Sequence, residues 1–209
     1  MRRFLIADDH IVVRKGLRQI LLDAFPSAEI VEVGDAEDML KKVLTEQWDV
    51  VITDISMPGR SGLDVLQQIR QDYPKLPILV LSVHPEDQYA LRVLKAGASG
   101  YLTKDSAPED LVKAMNWVLL GKRYITPAVA EQLATTLKQD SEKQPHELLS
   151  DREFEVLKLL ASGKSVTEIA EQISLSATTI STYRSRIMAK MNLRTNADLT
   201  LYCISSKLK

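Results

Sequence analysis

The sequence predicts an α/β domain followed by an all-α domain, and three observations carry that reading. Residues 1–121 alternate short apolar runs with amphipathic stretches five times, the pattern of βα units around a parallel sheet. Residues 148–209 lack such runs and show helix-capping signals followed by helical apolar spacing. Between them, Gln139 to His146 is polar, unpatterned and contains Pro145, as expected of a flexible linker. The predicted boundaries are 1–121 for the first domain, 122–147 for a connecting helix and linker, and 148–209 for the second domain.

The runs Phe4–Ala7, Val50–Thr53, Ile78–Leu81 and Gly100–Thr103 are continuously apolar and too short for helices, so they read as strands buried on both faces. Helices are expected over 11–23, 36–46, 62–72, 86–96 and 107–120. Ser106 and Glu109 have the spacing of a capping box for the last of these, and Gly121 ends it. Thr126-Pro127 reads as an N-cap with proline at the first helical position, opening a helix to about Lys138. In the second domain, Ser150 with Glu153 and Ser165 with Glu168 are capping boxes, and Gly163 separates the two helices. The second of these helices should bury Ile169, Ala170 and Ile173. Ser174 to Ser176 is a tight connection, Ser176 caps a helix over 177–191, and a last helix runs over 196–205. Two short helices joined by a tight turn, the second one basic, form a helix-turn-helix signature.

Composition narrows the function classes. The 209 residues are 45% hydrophobic, enough for a core in each domain. Cys203 is the only cysteine, which excludes an internal disulfide and an all-cysteine metal site and fits a reducing compartment. No apolar stretch approaches the ~20 residues of a membrane span, and the N-terminus lacks signal-peptide character. A cytoplasmic protein that does not engage a membrane is expected. The net charge of −1 conceals an asymmetry. Residues 1–121 are net acidic, residues 145–209 net basic, and Gln172 to Ala197 has no acidic residue but carries Arg184, Arg186, Lys190 and Arg194. That segment suits an anionic partner, although a solvated helix face has the same composition.

Four signals end the strand runs: Asp8-Asp9, Asp54, Ser82 and Lys104. In an open α/β sheet the ligand crevice lies at the carboxyl ends of the strands, so all four should converge on one pocket. Its three carboxylates repel one another, and a hard cation such as Mg²⁺ relieves that repulsion. With a metal and an ammonium group nearby, a phosphoryl group is the natural guest, and a carboxylate can accept it as an acyl phosphate. His10 follows the acidic pair and reads as an ordinary first-turn helix residue. His84 falls at the pocket rim.

Asp8-Asp9, Asp54 followed by Met57-Pro58-Gly59 and Gly62, Ser82, and Tyr101 to Lys104, in this order and spacing, resemble the receiver domain of two-component response regulators over residues 3–121. The resemblance implies a flavodoxin-like (βα)5 receiver. It also implies Asp54 as phosphoacceptor, Mg²⁺ held by Asp9, Asp54 and the Ser56 carbonyl with Asp8 helping through water, and Lys104 on the phosphoryl group. Ser82 and Tyr101 become the switch pair, the ring moving inward behind the hydroxyl. A sensor histidine kinase is the implied donor.

On a helical wheel of 177–191, Ile180, Tyr183, Ile187 and Met191 face the core, while Thr178, Ser181, Thr182, Ser185 and Ala189 lie opposite with Arg186 at one edge. The outer face suits a helix entering the major groove of double-stranded DNA, with Arg186 and Lys190 on phosphates. Leu149 to Glu153, Gly163, Glu168 to Ala170, Thr179-Ile180 and Lys190 to Leu193 resemble the LuxR-type DNA-binding domain of the NarL/FixJ class over 147–207. The resemblance implies a four-helix helix-turn-helix domain and a homodimer on phosphorylation, with helix 196–205 (Leu199, Tyr202 and Cys203) as the dimerisation helix. One departure stands out: Ser181 and Ser185 occupy positions where relatives often carry lysines. Arg184 is expected to reach phosphate or pair with a helix end.

The expected function is therefore phosphorylation-dependent, DNA-binding transcription regulation, without enzymatic turnover. The alternative is a phospho-independent DNA-binding regulator with a vestigial receiver. A haloacid-dehalogenase-like phosphatase wants two carboxylates two positions apart, whereas Asp8 and Asp9 are adjacent and Ser56 stands two residues after Asp54. An output that binds protein without DNA is a further rival.

Overall fold

The computed structural model describes residues 1–57, 62–138, 144–206 and 208. The Pro58-Gly59 pair and most of the linker expected at 139–147 lie outside the described residues. The chain divides into two compact units, Met1–Gln139 and Asp140–Lys209.

Among the described residues, the first unit is built on five parallel strands: β1 (Arg3–Ala7), β2 (Glu29–Val33), β3 (Val50–Thr53), β4 (Ile78–Ser82) and β5 (Gly100–Thr103). They stand in the order β2-β1-β3-β4-β5, the order of a flavodoxin-like sheet. Every residue of β3 and β4 is buried, which is why these runs carry no alternation, while in the edge strand β2 only Ile30 and Val33 are buried. The connecting helices are α1 (Ile11–Ala24), α2 (Ala36–Thr45), α3 (Gly62–Asp72), α4 (Glu86–Lys95) and α5 (Pro108–Leu119). Phe4, Ile6, Leu21, Ile52, Leu79, Met115 and Val118 form part of one core, and the ring of Phe4 meets Phe25 edge-on with centroids 5.4 Å apart.

One capping signal is corrected. Ser106 does not cap α5; the N-cap is Ala107, and Ser106 Oγ lies 3.1 Å from Thr103 Oγ1. Pro108 occupies the first helical turn and starts the helix a residue later, which moves Glu109 out of capping register.

Helix α6 (Pro127–Lys138) packs on α4 within this unit. Thr126 Oγ1 donates to Glu86 Oε1 at 2.6 Å and Gln132 Nε2 donates to the Asp87 carbonyl at 2.9 Å. Just before it, Tyr124 adds a parallel bridge to Gly100 at the edge of the sheet, its amide donating to the Ser99 carbonyl at 2.8 Å.

The second unit holds a 3-10 turn (Pro145–Leu148), α7 (Asp151–Ala161), α8 (Val166–Gln172), α9 (Ala177–Met191) and α10 (Asn196–Ser205). The capping boxes at Ser150 and Ser165 are formed, Ser176 caps α9, and a third box at Thr195, not read from the sequence, opens α10. The turn between α8 and α9 passes through Ser174 in the left-handed region, φ 54°. Phe154, Leu157, Ile169, Ile180, Ile187, Leu199 and Cys203 fill the core of this unit, whereas Ile173 is only half-buried.

Candidate functional site

The strand register determines which residues meet. Ala7 lies opposite Thr53 and Ser82 opposite Thr103, so the residues that follow β1, β3 and β5 leave the sheet side by side at one end. Asp8 and Asp54 are only 1% and 2% exposed. Lys104 Nζ lies 2.7 Å from Asp54 Oδ2 and 2.7 Å from Asp8 Oδ2. Burial disfavours the Lys104 charge, but contacts with Asp54 and Asp8 outweigh it and hold the ammonium above its ordinary range, so it stays charged at neutral pH.

Among the described residues, one ammonium stands among three carboxylates, a net negative set. Asp8, Asp9, His10 and Asp54 each offer a ligand atom, all within 4.8 Å of one another. Asp8 Oδ2 and Asp9 Oδ1 are buried, the first facing Lys104 Nζ at 2.7 Å and the second His10 Nδ1 at 2.8 Å. Such oxygens in an anionic pocket fit a hard divalent cation. His10, expected inside the first turn, stands one residue earlier at the N-cap, with Nδ1 2.8 Å from Asp9 and 3.2 Å from Asp8.

Two elements hold Asp54 in place. The Ser56 amide donates to Asp54 Oδ1 at 3.0 Å, and Gly62 closes over the loop from the start of α3. A Cβ built on Gly62 would lie 2.7 Å from Ile55 Cα and 2.8 Å from the Asp54 carbonyl oxygen, both backbone atoms. Gly62→Ala is therefore expected to destabilise the fold by about 1–3 kcal/mol, the usual cost of overpacking. Denaturant unfolding checks this.

Ser82 ends β4 fully buried, and its hydroxyl accepts from the His84 amide at 3.3 Å. Tyr101 is already turned inward, 2% exposed, and donates to the His84 carbonyl at 2.7 Å. Burial pushes the Tyr101 phenol well above its ordinary range, so it remains a donor. Two residues beyond the end of β4, His84 is expected at the pocket rim. The structure ties it to the far side of the pocket: its Nε2 lies 2.9 Å from Ser56 Oγ, and its ring stacks on Tyr89 with centroids 4.3 Å apart.

In the second unit, Thr178, Ser181, Thr182, Ser185, Arg186 and Ala189 are exposed along one side of α9, while Ile180, Ile187 and Met191 are buried opposite. Thr182 and Ser185 donate their hydroxyl protons to the carbonyls of Thr178 and Ser181, which leaves oxygen lone pairs outward. Arg184 Nε donates to Asn196 Oδ1 at 2.8 Å, a contact with the first residue of α10. Lys190 Nζ turns back to Glu153 Oε2, 2.6 Å away. Burial alone would raise the Glu153 pKa, but Lys190 and Ser150 outweigh it and hold the carboxyl below its ordinary range. A depressed pKa contributes stability that is present above the unfolded-state value and lost as pH falls through the folded one. Glu153→Gln is expected to flatten that part of the acid limb, read by chemical unfolding between about pH 3 and 6.

On α10, Leu199 and Cys203 are fully buried in their own domain and Tyr202 is half-buried. Its exposed apolar residues are instead Leu201 and Ile204, 69% and 53% exposed.

A parallel sheet that gathers carboxylates around one lysine, on the same chain as a helix-turn-helix, defines a switch joined to an output module. Residues 4–116 match the response regulator receiver domain, and residues 147–203 match the luxR family of bacterial regulatory proteins. The chain is 37% identical to the response regulator UvrY of Escherichia coli (strain K12) over 201 residues, spanning 96% of this chain and 92% of UvrY. It is 33% identical to the response regulator GacA of Pseudomonas aeruginosa over 205 residues, spanning 98% of this chain and 96% of GacA. A solved structure of the Salmonella typhimurium RcsB response regulator is similar with a TM-score of 0.61 and 30% identity, covering 97% of this chain and 98% of that one. RcsB from Salmonella enterica serovar Typhimurium, bound to promoter P1flhDC in the presence of phosphomimetic BeF3−, is similar with a TM-score of 0.59 and 31% identity, covering 96% of this chain and 97% of that one. The chain belongs to the two-component response regulators of the NarL/FixJ class, the phosphorylation-dependent, DNA-binding transcription regulators that join a receiver to a LuxR-type helix-turn-helix domain.

Proposed function

We propose that Asp54 accepts a phosphoryl group from a sensor histidine kinase and that this charge controls DNA binding through α9. The observation that carries the reading is the buried Asp54 carboxylate, with Oδ2 on Lys104 and Oδ1 on the Ser56 amide. Both are fixed donors that orient the oxygens of an in-line acceptor. In the transfer, an Asp54 oxygen forms a bond to phosphorus as the bond to the donor's imidazole nitrogen breaks, leaving an acyl phosphate. Lys104 then faces the new phosphoryl oxygens. Mg²⁺ would be held by Asp9, Asp54 and the Ser56 carbonyl, with Asp8 through water. It supplies neutralisation of the charge on the phosphoryl oxygens.

The acyl phosphate biases an equilibrium in which Ser82 turns its hydroxyl to the phosphoryl group and Tyr101 packs behind it. Residues 1–121 act as the receiver, 122–147 as the connector and 148–209 as the DNA-binding domain. On the DNA side, Thr178, Ser181, Thr182 and Ser185 read base edges and Arg186 holds a phosphate. A homodimer presents two copies of α9 to a two-fold site in cytoplasmic DNA, with α10 contributing to its interface. RcsB, bound to DNA in the solved complexes, supports this mode.

The test is incorporation of phosphate from a small acyl phosphate donor, followed by intact mass. One added phosphoryl group is expected with Mg²⁺ present and none with a chelator. Absence of incorporation, together with DNA binding indifferent to the donor, would establish the vestigial-receiver alternative.

A further inference from the structure

By its place on α9 Lys190 is expected on a DNA phosphate; the structure gives it a different partner, Glu153. Glu153 is 2% exposed and lies in the first turn of α7. Its Oε2 accepts from the Ser150 amide at 2.7 Å and from Lys190 Nζ at 2.6 Å. The same carboxylate therefore closes the capping box of α7 and fastens the last turn of α9.

We infer that Lys190 is a positioning residue, which with Glu153 fixes the angle of the reading helix α9 against α7, and that it does not neutralise a DNA phosphate. This rests on the reading of α9 as the DNA-contacting helix. Three physical points support it. A buried carboxylate left without its cation is costly, so release of Lys190 to DNA would trade one ion pair for another while leaving Glu153 uncompensated. A charge-assisted contact of 2.6 Å at the C-terminal turn of α9 also sits where a cation complements the helix dipole. Finally, Ile180, Ile187 and Met191 set which face of α9 points inward, but apolar packing tolerates rocking about that face. A polar tie at the far end of the helix removes that freedom.

The test uses the full-length protein, phosphorylated with a small acyl phosphate, and a duplex selected by the wild type from a random-sequence pool. Affinities for the selected and a scrambled duplex are measured over a range of salt, at a temperature where circular dichroism shows every variant folded. Lys190→Met is expected to lower the ratio of selected to scrambled affinity by about tenfold. It should leave the slope of log K against log salt within about 0.3 of wild type, whereas Arg186→Met reduces that slope by about 1. Glu153→Gln keeps an acceptor for the Ser150 amide but removes the charge, and it should reproduce the Lys190→Met effect. The double variant should be no worse than either single one. Lys190→Arg should restore the ratio; a purely stability-related role would leave the ratio unmoved in all of them. The inference is overturned if Lys190→Met lowers the salt slope by about 1 while Glu153→Gln binds like wild type. If Arg186→Met also leaves binding and slope unchanged, α9 is not the reading helix and the underlying reading fails with it.

Discussion

Asp54→Asn is expected to abolish phosphoryl incorporation and, with it, the gain in DNA affinity on treatment with a phosphodonor. For a coupling free energy of about 1–3 kcal/mol between the two sites, that gain is about 5–150-fold. Asparagine retains an oxygen for the Ser56 amide, which now reaches Asp54 Oδ1 at 3.0 Å, but offers no nucleophilic carboxylate. The fold should not suffer. Lys104 still has Asp8 at 2.7 Å, and one negative charge leaves a cluster in which carboxylates outnumber cations. The melting temperature should equal or exceed that of wild type. A variant that still takes up a phosphoryl group at the wild-type rate, or still gains DNA affinity, would remove Asp54 from its role.

Lys104→Met should have the larger effect on stability. The ammonium is the shared partner of two carboxylates that are almost wholly buried. Deleting one member of a buried ionic cluster costs about 3–5 kcal/mol because the remaining charges keep their desolvation penalty. Mg²⁺ should recover much of this loss, since a divalent cation can replace the missing charge, so the variant's thermal stability should depend on Mg²⁺ far more than that of wild type. With Mg²⁺ present and the fold restored, phosphoryl transfer should still be slower by about 10²-fold, the usual consequence of removing one preorganised cationic donor. Equal melting temperatures for variant and wild type without divalent ions would show that Lys104 is not the cation that balances the site.

The fold was legible because each local signal agreed with its surroundings. Strand runs such as Val50–Thr53 are continuously apolar because both faces are covered, and the helices carry capping residues such as Ser150, Ser165 and Ser176. At α5 the Ser106–Glu109 spacing is misleading because Pro108 between them takes the first helical position and makes Ala107 the N-cap. The pocket could be assembled because its residues follow strand ends, where topology alone dictates proximity. Contacts between side chains far apart in sequence have no local signature. The Ser56 hydroxyl and His84 ring are 28 positions apart, and Lys190 and Glu153 are 37 apart. A wheel drawn on α9 shows which side Lys190 leaves from, but a flexible stem lets its ammonium fold back over the domain. The same limit applied to α10: Leu199 and Cys203 were legible as apolar but not as core, because an apolar face can meet its own domain or a partner.

Tyr124 has a consequence for how the first unit can be handled as a separate piece. β5 is the last strand of the sheet, and its outer edge at Gly100 is covered by the chain itself as it turns toward α6. An open edge strand is a template on which another chain can pair. Shortening the protein at Gly121 removes Tyr124 and buried Val129 together, and so uncovers a backbone edge and an apolar strip side by side. The connector thus also covers the Gly100 end of the sheet's outer edge, where a sixth strand from a neighbouring molecule would begin to pair.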